Sequence, residues 1–280
     1  NGTGSSGLTG ATEIVFTASA PGGTDATNFQ IALRGVKYIN TDDAPDTTQR
    51  IVTASTLDSN GLSGVGAQTF INLTPTNDAP IGSAHTVSAT EDTPYVFTTG
   101  DFPFSDATDG GANSLLTVKI TTLPASGTLS LNGTPVTAGQ TVLASDITAG
   151  YLIYTPVLDA SGAGAASFTF QVQDNGGTAH GGVDLDPNPA TLTINLAATN
   201  DAPLVTVPAT IGVTEDVASA LTGIVFADVD AASGSVVATL SVPAGTLAAT
   251  SGSGVTVGGT ASALTLTGSL ADINAFIAAS

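Results

Sequence analysis

The sequence predicts an all-β protein, a series of β-sandwich modules joined end to end, and three observations carry the prediction. First, its 280 residues are 41% hydrophobic, dominated by Val, Ile, Leu and Ala beside abundant Thr, with no Trp, Met or Cys. Such β-branched mixtures favour pleated, half-buried strands over helices. Second, 33 Gly and 14 Pro supply frequent turns. Third, the chain repeats itself: Thr76-Asn77-Asp78-Ala79-Pro80 returns as Thr199-Asn200-Asp201-Ala202-Pro203, an offset of 200 − 77 = 123 residues. A β-solenoid is the architectural competitor, but solenoids repeat every 20 to 45 residues or so, and no short period of that kind is visible.

The repeat holds its phase beyond the linker. Ala89-Thr90-Glu91-Asp92 returns as Val213-Thr214-Glu215-Asp216, and Phe104-Ser105-Asp106 returns as Phe226-Ala227-Asp228. Module boundaries are therefore expected near Pro80 and Pro203, giving segments 1–80, 81–203 and 204–280. In the first segment, Ala26 to Leu33 reads as a turn or short helix, Val36-Lys37-Tyr38 follows, and two strands close the segment, the second at Gln68 to Leu73. It resembles the second half of a module. The middle segment reads as complete, with alternating strands expected at Thr93 to Thr98, Leu115 to Thr121, Gly127 to Leu131, Tyr151 to Tyr154, Ser167 to Gln173 and Ala190 to Leu196. Asn132-Gly133, Asp174-Asn175-Gly176-Gly177 and Pro187-Asn188-Pro189 mark turns between them. The third segment resembles a first half and closes on Ala271 to Ile277, which matches Asp146-Ile147 of the middle segment and Asn28-Phe29 of the first.

Charge narrows the function. Against 23 Asp and Glu the chain sets 4 Lys and Arg, a formal net charge of -19. Nucleic acid and anionic membrane are poor partners for such a surface, and no apolar run approaches the roughly 18 to 20 residues of a membrane helix. So many like charges on a compact fold repel one another unless they are spread thinly or cations sit among them. With no Cys, disulfides contribute nothing, although the composition otherwise looks extracellular. The Gly-, Ser- and Thr-rich stretch Asn1 to Gly10 has neither the basic nor the apolar region of a secretion signal.

The Asn-Asp-Ala-Pro linkers, the Thr-Glu-Asp openings, the Phe-x-x-Asp pattern and Val172-Gln173-Asp174-Asn175-Gly176-Gly177 resemble bacterial cadherin-like tandem repeats of large type I secreted (RTX-type) adhesins. Gly181 to Pro189 and Gly127-Thr128-Leu129 are similar to the same repeats. The resemblance covers the middle segment wholly and both outer ones in part. It implies Greek-key β-sandwiches of the cadherin/immunoglobulin type, with calcium held where modules meet. Asn77-Asp78 and Asn200-Asp201 take the linker role, and Asp228-Val229-Asp230 matches the Asp-x-Asp loop of that family. Asp106-Ala107-Thr108-Asp109 departs from it by one residue, and no Asp-Arg-Glu motif is evident.

The residues themselves suit that chemistry. Calcium takes 6 to 8 oxygen ligands at about 2.3 to 2.6 Å, so carboxylates and carbonyls must converge from several loops. Glu91 and Asp92 from the start of a module, Asn200 and Asp201 after it, and Asp228 and Asp230 from the next would form one such cage. Asn77, Asp78, Asp106 and Asp109 are the candidates at the earlier linker, with Asp174, Glu215 and Asp216 as further possible ligands. The alternative is that these acids are solvated turn residues, since Asp and Asn favour turns and caps in any β protein. Asp174 reads equally as a ligand or a hairpin turn, and Asp184 and Asp186 are weaker candidates.

Catalysis has little support. His85 and His180 lie in no metal-binding spacing, and there is no G-x-S-x-G elbow. Four Tyr and no Trp leave few platforms for a sugar, and Phe97, Tyr154, Phe168 and Phe170 fall in strand patterns typical of core. Two functions are expected to compete: a calcium-stiffened stalk of an extracellular adhesin, whose partners are its own neighbouring modules, and a self-associating subunit of a filament, sheath or surface layer. A glycan-binding or hydrolytic module is a third reading, and it requires an aromatic-lined cleft.

Overall fold

The structure, a computed structural model, describes residues 33–57 and 60–279. The expected segment Ala26 to Leu33 falls outside the described residues except for Leu33, as do Asn28 and Phe29; Leu33 and Arg34 are helical. The chain divides into two compact units. Of the described residues, one takes those up to Ala79 together with the loops Asp106–Ser114 and Gly176–Asp184; the other takes Pro80–Ser105, Leu115–Asn175 and those from Leu185 onward.

The first unit contains a two-stranded antiparallel ribbon of β1 (Arg50–Ala54) and β2 (Ala67–Ile71). Its register pairs Ile51 with Phe70 and Val52 with Thr69. The turn before β1 is held by local bonds: Asp46 Oδ1 accepts from the Thr48 backbone N–H and hydroxyl, and Arg50 Nη1 donates to the Asp46 and Thr48 carbonyls.

The second unit contains the complete sandwich. Its strands are β3 (Ile81–Gly82), β4 (His85–Thr90), β5 (Tyr95–Val96), β6 (Phe104–Ser105), β7 (Leu115–Ile120), β8 (Thr128–Leu131), β9 (Thr134–Pro135) and β10 (Thr141–Leu143), then the short helix α1 (Ala144–Thr148), β11 (Leu152–Thr155), β12 (Gly162–Asp174) and β13 (Ala190–Ala197). One sheet has the order β10-β7-β12-β13-β4 and the other β5-β11-β8-β9. The alternation that places Phe168, Phe170 and Val172 on one face of β12 buries all three to 0–1% exposure. Facing them, Phe97 and Phe102 pack edge-on or tilted, with ring centroids 5.7 Å between Phe97 and Phe168 and 5.1 Å between Phe102 and Phe170. Tyr154 is fully buried and donates its hydroxyl to the Ser126 carbonyl. The all-β sandwich that composition and turns predict is thus present.

Local chemistry explains where expected strands shorten or appear. Thr93 to Thr98 yields only Tyr95–Val96, because Asp101 Oδ2 accepts from the Thr98 N–H at 2.8 Å and its hydroxyl at 3.1 Å and starts a 3-10 turn at Thr99. Asn132-Gly133 forms the tight turn between β8 and β9, both residues with positive φ, as such hairpins require. His85–Thr90 becomes a strand by pairing in parallel with β13, Ile194 opposite Val87 and Leu196 opposite Ala89.

Residues 204–279 repeat part of this plan. β14 (Leu204–Thr206) pairs with β15 (Val225–Ala227), and β16 (Ser235–Ser241), β17 (Thr256–Thr260) and β18 (Ala263–Ser269) form a sheet in the order β16-β18-β17. The helix α2 (Leu270–Ala278) buries Ile273 and Ile277 and is capped by Ser269, whose hydroxyl oxygen accepts from the Asp272 N–H.

Candidate metal centres at the two linkers

Strand direction decides which acids meet. β4 opens its module and β13 closes it, and because they run parallel both end at the same edge, with Thr90 opposite Ala197. The Glu91 N–H continues this ladder to the Ala197 carbonyl, and the Glu91 carboxylate accepts the Thr199 N–H at 2.6 Å. The acids at the start of one module therefore serve the linker at its end. Glu91 is 2% exposed, an unusual burial for a residue that is seldom inside a protein without a partner. Beside it Asp92 adopts φ 57° and accepts the Asp159 N–H at 2.9 Å through Oδ1.

Residues beyond Pro203 supply the opposing acids. β14 pairs Leu204 with Ala227, so Asp201, three residues before Leu204, meets the loop that starts at Asp228. Asp228 Oδ1 accepts from the N–H groups of Asp230 and Ala231, a turn that aims Asp230 at the linker, where its Oδ2 accepts the Asp201 N–H. Carboxylate oxygens of Glu91, Asp201 and Asp230 lie within 4.8 Å of one another, as do those of Asp92, Asp159 and Asp201. Asp201 belongs to both groups, and its Oδ2 is buried without a hydrogen-bond partner. Burial and the charges of Asp159, Asp230, Asp92 and Glu91 raise the Asp201 carboxyl above its ordinary value, and burial with Asp92, Glu91 and Asp230 does the same to Asp159.

The earlier linker repeats part of this construction. Asp78 stands three residues before Ile81, and Asp106 directly follows Ser105, the partner of Ile81. Asp109 Oδ2 accepts the Asp78 N–H at 2.9 Å, the bond that Asp230 makes to Asp201. The additional residue in Asp106-Ala107-Thr108-Asp109 therefore does not displace the second acid; the turn, closed by Gly110 N–H to Ala107 and Gly111 N–H to Asp106, takes up the extra length. Asp106 is 6% exposed and both its carboxylate oxygens lack a hydrogen-bond partner. Burial and the charges of Asp109, Asp43 and Asp106 raise the Asp78 carboxyl.

The other candidates separate by position. The Asn77 amide donates to the Val183 carbonyl and its oxygen accepts from Asn113, so it ties loops together. Asn200 is exposed and donates to the Asp201 carbonyl. Glu215 and Asp216 are exposed; Asp216 has φ 58°, repeating the backbone of Asp92. Asp174 is fully buried at the end of β12. Asp186 is buried and satisfied, accepting from the Gly82 and Asn188 N–H groups, and acts as a structural tie.

Two acids of the clusters escape a reading of linkers and openings alone, Asp43 and Asp159. Their signal is a spacing: Asp43 stands five residues after Tyr38 and Asp159 five after Tyr154, at matching places in the plan.

Buried carboxylate oxygens without donors are costly, and hard oxygen ligands from three or more acids suit calcium better than any softer metal. The residues around Asp201 fit that ion, whereas among the described residues no three acids of the earlier linker bring carboxylate oxygens within 4.8 Å of one another. Comparison with curated proteins returns no match to the chain. Residues 77–186, which carry Asp78, Glu91, Asp92, Asp106, Asp109 and Asp159, match the family model described as a bacterial Ig domain.

Proposed function

We propose that this chain is a calcium-stiffened repeat region of a bacterial surface or secreted protein, a stalk of adhesin type that works outside the cell and catalyses nothing. An Ig-like repeat of bacterial type supports a surface or extracellular protein. The observation that carries the calcium reading is an Asp at each linker whose N–H is held by a loop acid, beside buried carboxylate oxygens without donors, those of Asp106 at the earlier linker and Oδ2 of Asp201 at the later. Turn residues that merely face water have no reason to bury carboxylate oxygens without donors.

Each module would need nothing but metal and its neighbours. A cation shared by Glu91 and Asp201 on one side and Asp230 on the other would cross-link two sandwiches that a short Asn-Asp-Ala-Pro linker otherwise joins loosely. The resemblance to cadherin-like adhesin repeats supports the same reading. Against a sugar cleft, Phe97, Tyr154, Phe168 and Phe170 are at most 1% exposed and form the core. No described helix is long and apolar enough to cross a membrane.

Isothermal titration with calcium, together with small-angle scattering in calcium and in chelator, tests the proposal. Saturable binding and a larger maximum dimension in calcium are expected. No binding and an unchanged scattering profile would reject it.

A further inference from the structure

The two linkers differ in what lies between their oxygens. Asp109 Oδ2 and Asp230 Oδ2 make the same bond, each accepting the N–H of the linker Asp, Asp78 in one case and Asp201 in the other. At the earlier linker a second donor enters. The side-chain amide nitrogen of Asn113 lies 3.1 Å from Asp109 Oδ2 and 2.6 Å from Asn77 Oδ1 and donates to both. One neutral NH2 group thus bridges two acceptor oxygens, one from the linker and one from the loop, as a cation does between its ligands. The later linker has no counterpart to it. Asp230 is followed by Ala231, Ala232, Ser233 and Gly234 before β16 begins, and among the described residues its carboxylate accepts no side-chain amide.

Packing pins the amide where it is. Gly176 lies so close that a Cβ there would stand 2.8 Å from Asn113 Nδ2 and would overlap Asn77 Oδ1. Asn77 is fixed from its other end, where its own amide donates to the Val183 carbonyl at 2.7 Å, so its oxygen is turned to Asn113. The donor is thereby spent on Asp109 and Asn77, while Asp106, 6% exposed, has none at either carboxylate oxygen. This is the physical counterpart of the acids at the earlier linker failing to converge as those around Asp201 do.

We propose, resting on the calcium reading of the linkers, that Asn113 is an internal competitor for the ion: its amide holds the place of calcium at the earlier linker, so that this linker fills only after the later one. An ion drawn to Asp106 has to take Asp109 from Asn113, breaking a hydrogen bond to a charged group. Around Asp201 the carboxylate oxygens already lie within 4.8 Å of one another, and the buried Oδ2 of Asp201 has no donor to give up. A hydrogen bond of that kind, broken on binding, weakens affinity roughly tenfold. Calcium therefore acts on the chain in two steps, at two concentrations. The rival role for Asn113 is that of a ligand with its oxygen turned to the ion, and the sign of one substitution separates the two.

Asp201→Asn silences the later linker and leaves the earlier one to be read by itself. Isothermal titration with calcium is run on the unsubstituted 280-residue chain, on Asp201→Asn, and on Asp201→Asn with Asn113→Ala or Asn113→Ser added. Neither replacement carries an amide, and they differ in polarity, so a fold lost in one, seen by circular dichroism in chelator, leaves the other to decide. The unsubstituted chain titrates in two phases, of which Asp201→Asn removes the tighter. Each Asn113 replacement then tightens the remaining phase roughly tenfold. Unchanged or weaker binding in the Asn113 variants overturns the proposal, weaker binding marking Asn113 as a ligand. So does an Asp201→Asn chain that binds no calcium with or without the Asn113 change. Absence of binding in the unsubstituted chain as well rejects the calcium reading itself, so the two failures are told apart.

Discussion

Asp106→Asn separates a metal site from a turn residue because the two readings give opposite signs. Asp106 is 6% exposed and neither carboxylate oxygen has a donor. Leaving a buried polar group unsatisfied costs about 1–3 kcal/mol, more when it is charged. In chelator, the isosteric Asn removes that charge and also its repulsion of Asp78, so the variant melts at a higher temperature than the parent by at least a few degrees. In calcium the order reverses. A ligand at one hundred times its Kd adds about 2.7 kcal/mol to the folded state, which at about 2–4 °C per kcal/mol for a domain of this size class raises Tm by roughly 5–10 °C. The parent gains that shift and the variant loses the share that belongs to the earlier linker. Differential scanning calorimetry of both proteins, each in calcium and in chelator, gives the four midpoints. If Asn destabilises equally in both conditions, or the parent is indifferent to calcium, Asp106 is a structural residue and the reasoning fails.

Other expectations follow from the same geometry. Asp78, Asp159 and Asp201 have carboxyls raised above the ordinary 3.8; a raised folded-state value means the folded chain binds more protons than the unfolded one, so in chelator stability falls as pH climbs from the ordinary carboxylate value through the raised ones. Urea midpoints across that range check it, and a rise in stability there contradicts it. Phe168→Ala removes a ring in contact with Phe97 and Phe102 and lowers the stability of the middle module by about 3–5 kcal/mol, read by chemical denaturation. Gly127 has φ +76°, and a Cβ there would lie 2.6 Å from the Thr155 carbonyl oxygen and 2.5 Å from the Tyr154 hydroxyl. Gly127→Ala therefore costs at least the roughly 1–2 kcal/mol of a left-handed backbone, whereas Gly133→Ala at an open site with the same φ costs only that strain.

Repeats and alternation made the sandwich legible. Five identical linker residues marked the repeat, and the period-two pattern of β12 and β13 identified the strands that carry the core. Pairing between distant strands was less legible. His85–Thr90 alternates only weakly, and its place as a parallel neighbour of β13 depends on a partner more than a hundred residues away. That pairing is also what brings Glu91 to the downstream linker, so the destination of the opening acids follows from topology and not from spacing. The one-residue difference between Asp106–Asp109 and Asp228–Asp230 obscured an equivalence that a turn restores in space. Asp159 and Asp43 lie in loops whose only marker is the distance to a preceding Tyr, and the surrounding residues share too little identity to draw attention to it.

The most direct test is a crystal structure of this chain grown in calcium, with anomalous difference maps collected at long wavelength. The account predicts peaks at both linkers, one against the carboxylate of Asp106 and one against that of Asp201, with oxygen ligands at about 2.3–2.6 Å. Water alone at both places, with the two carboxylates turned outward, would contradict it.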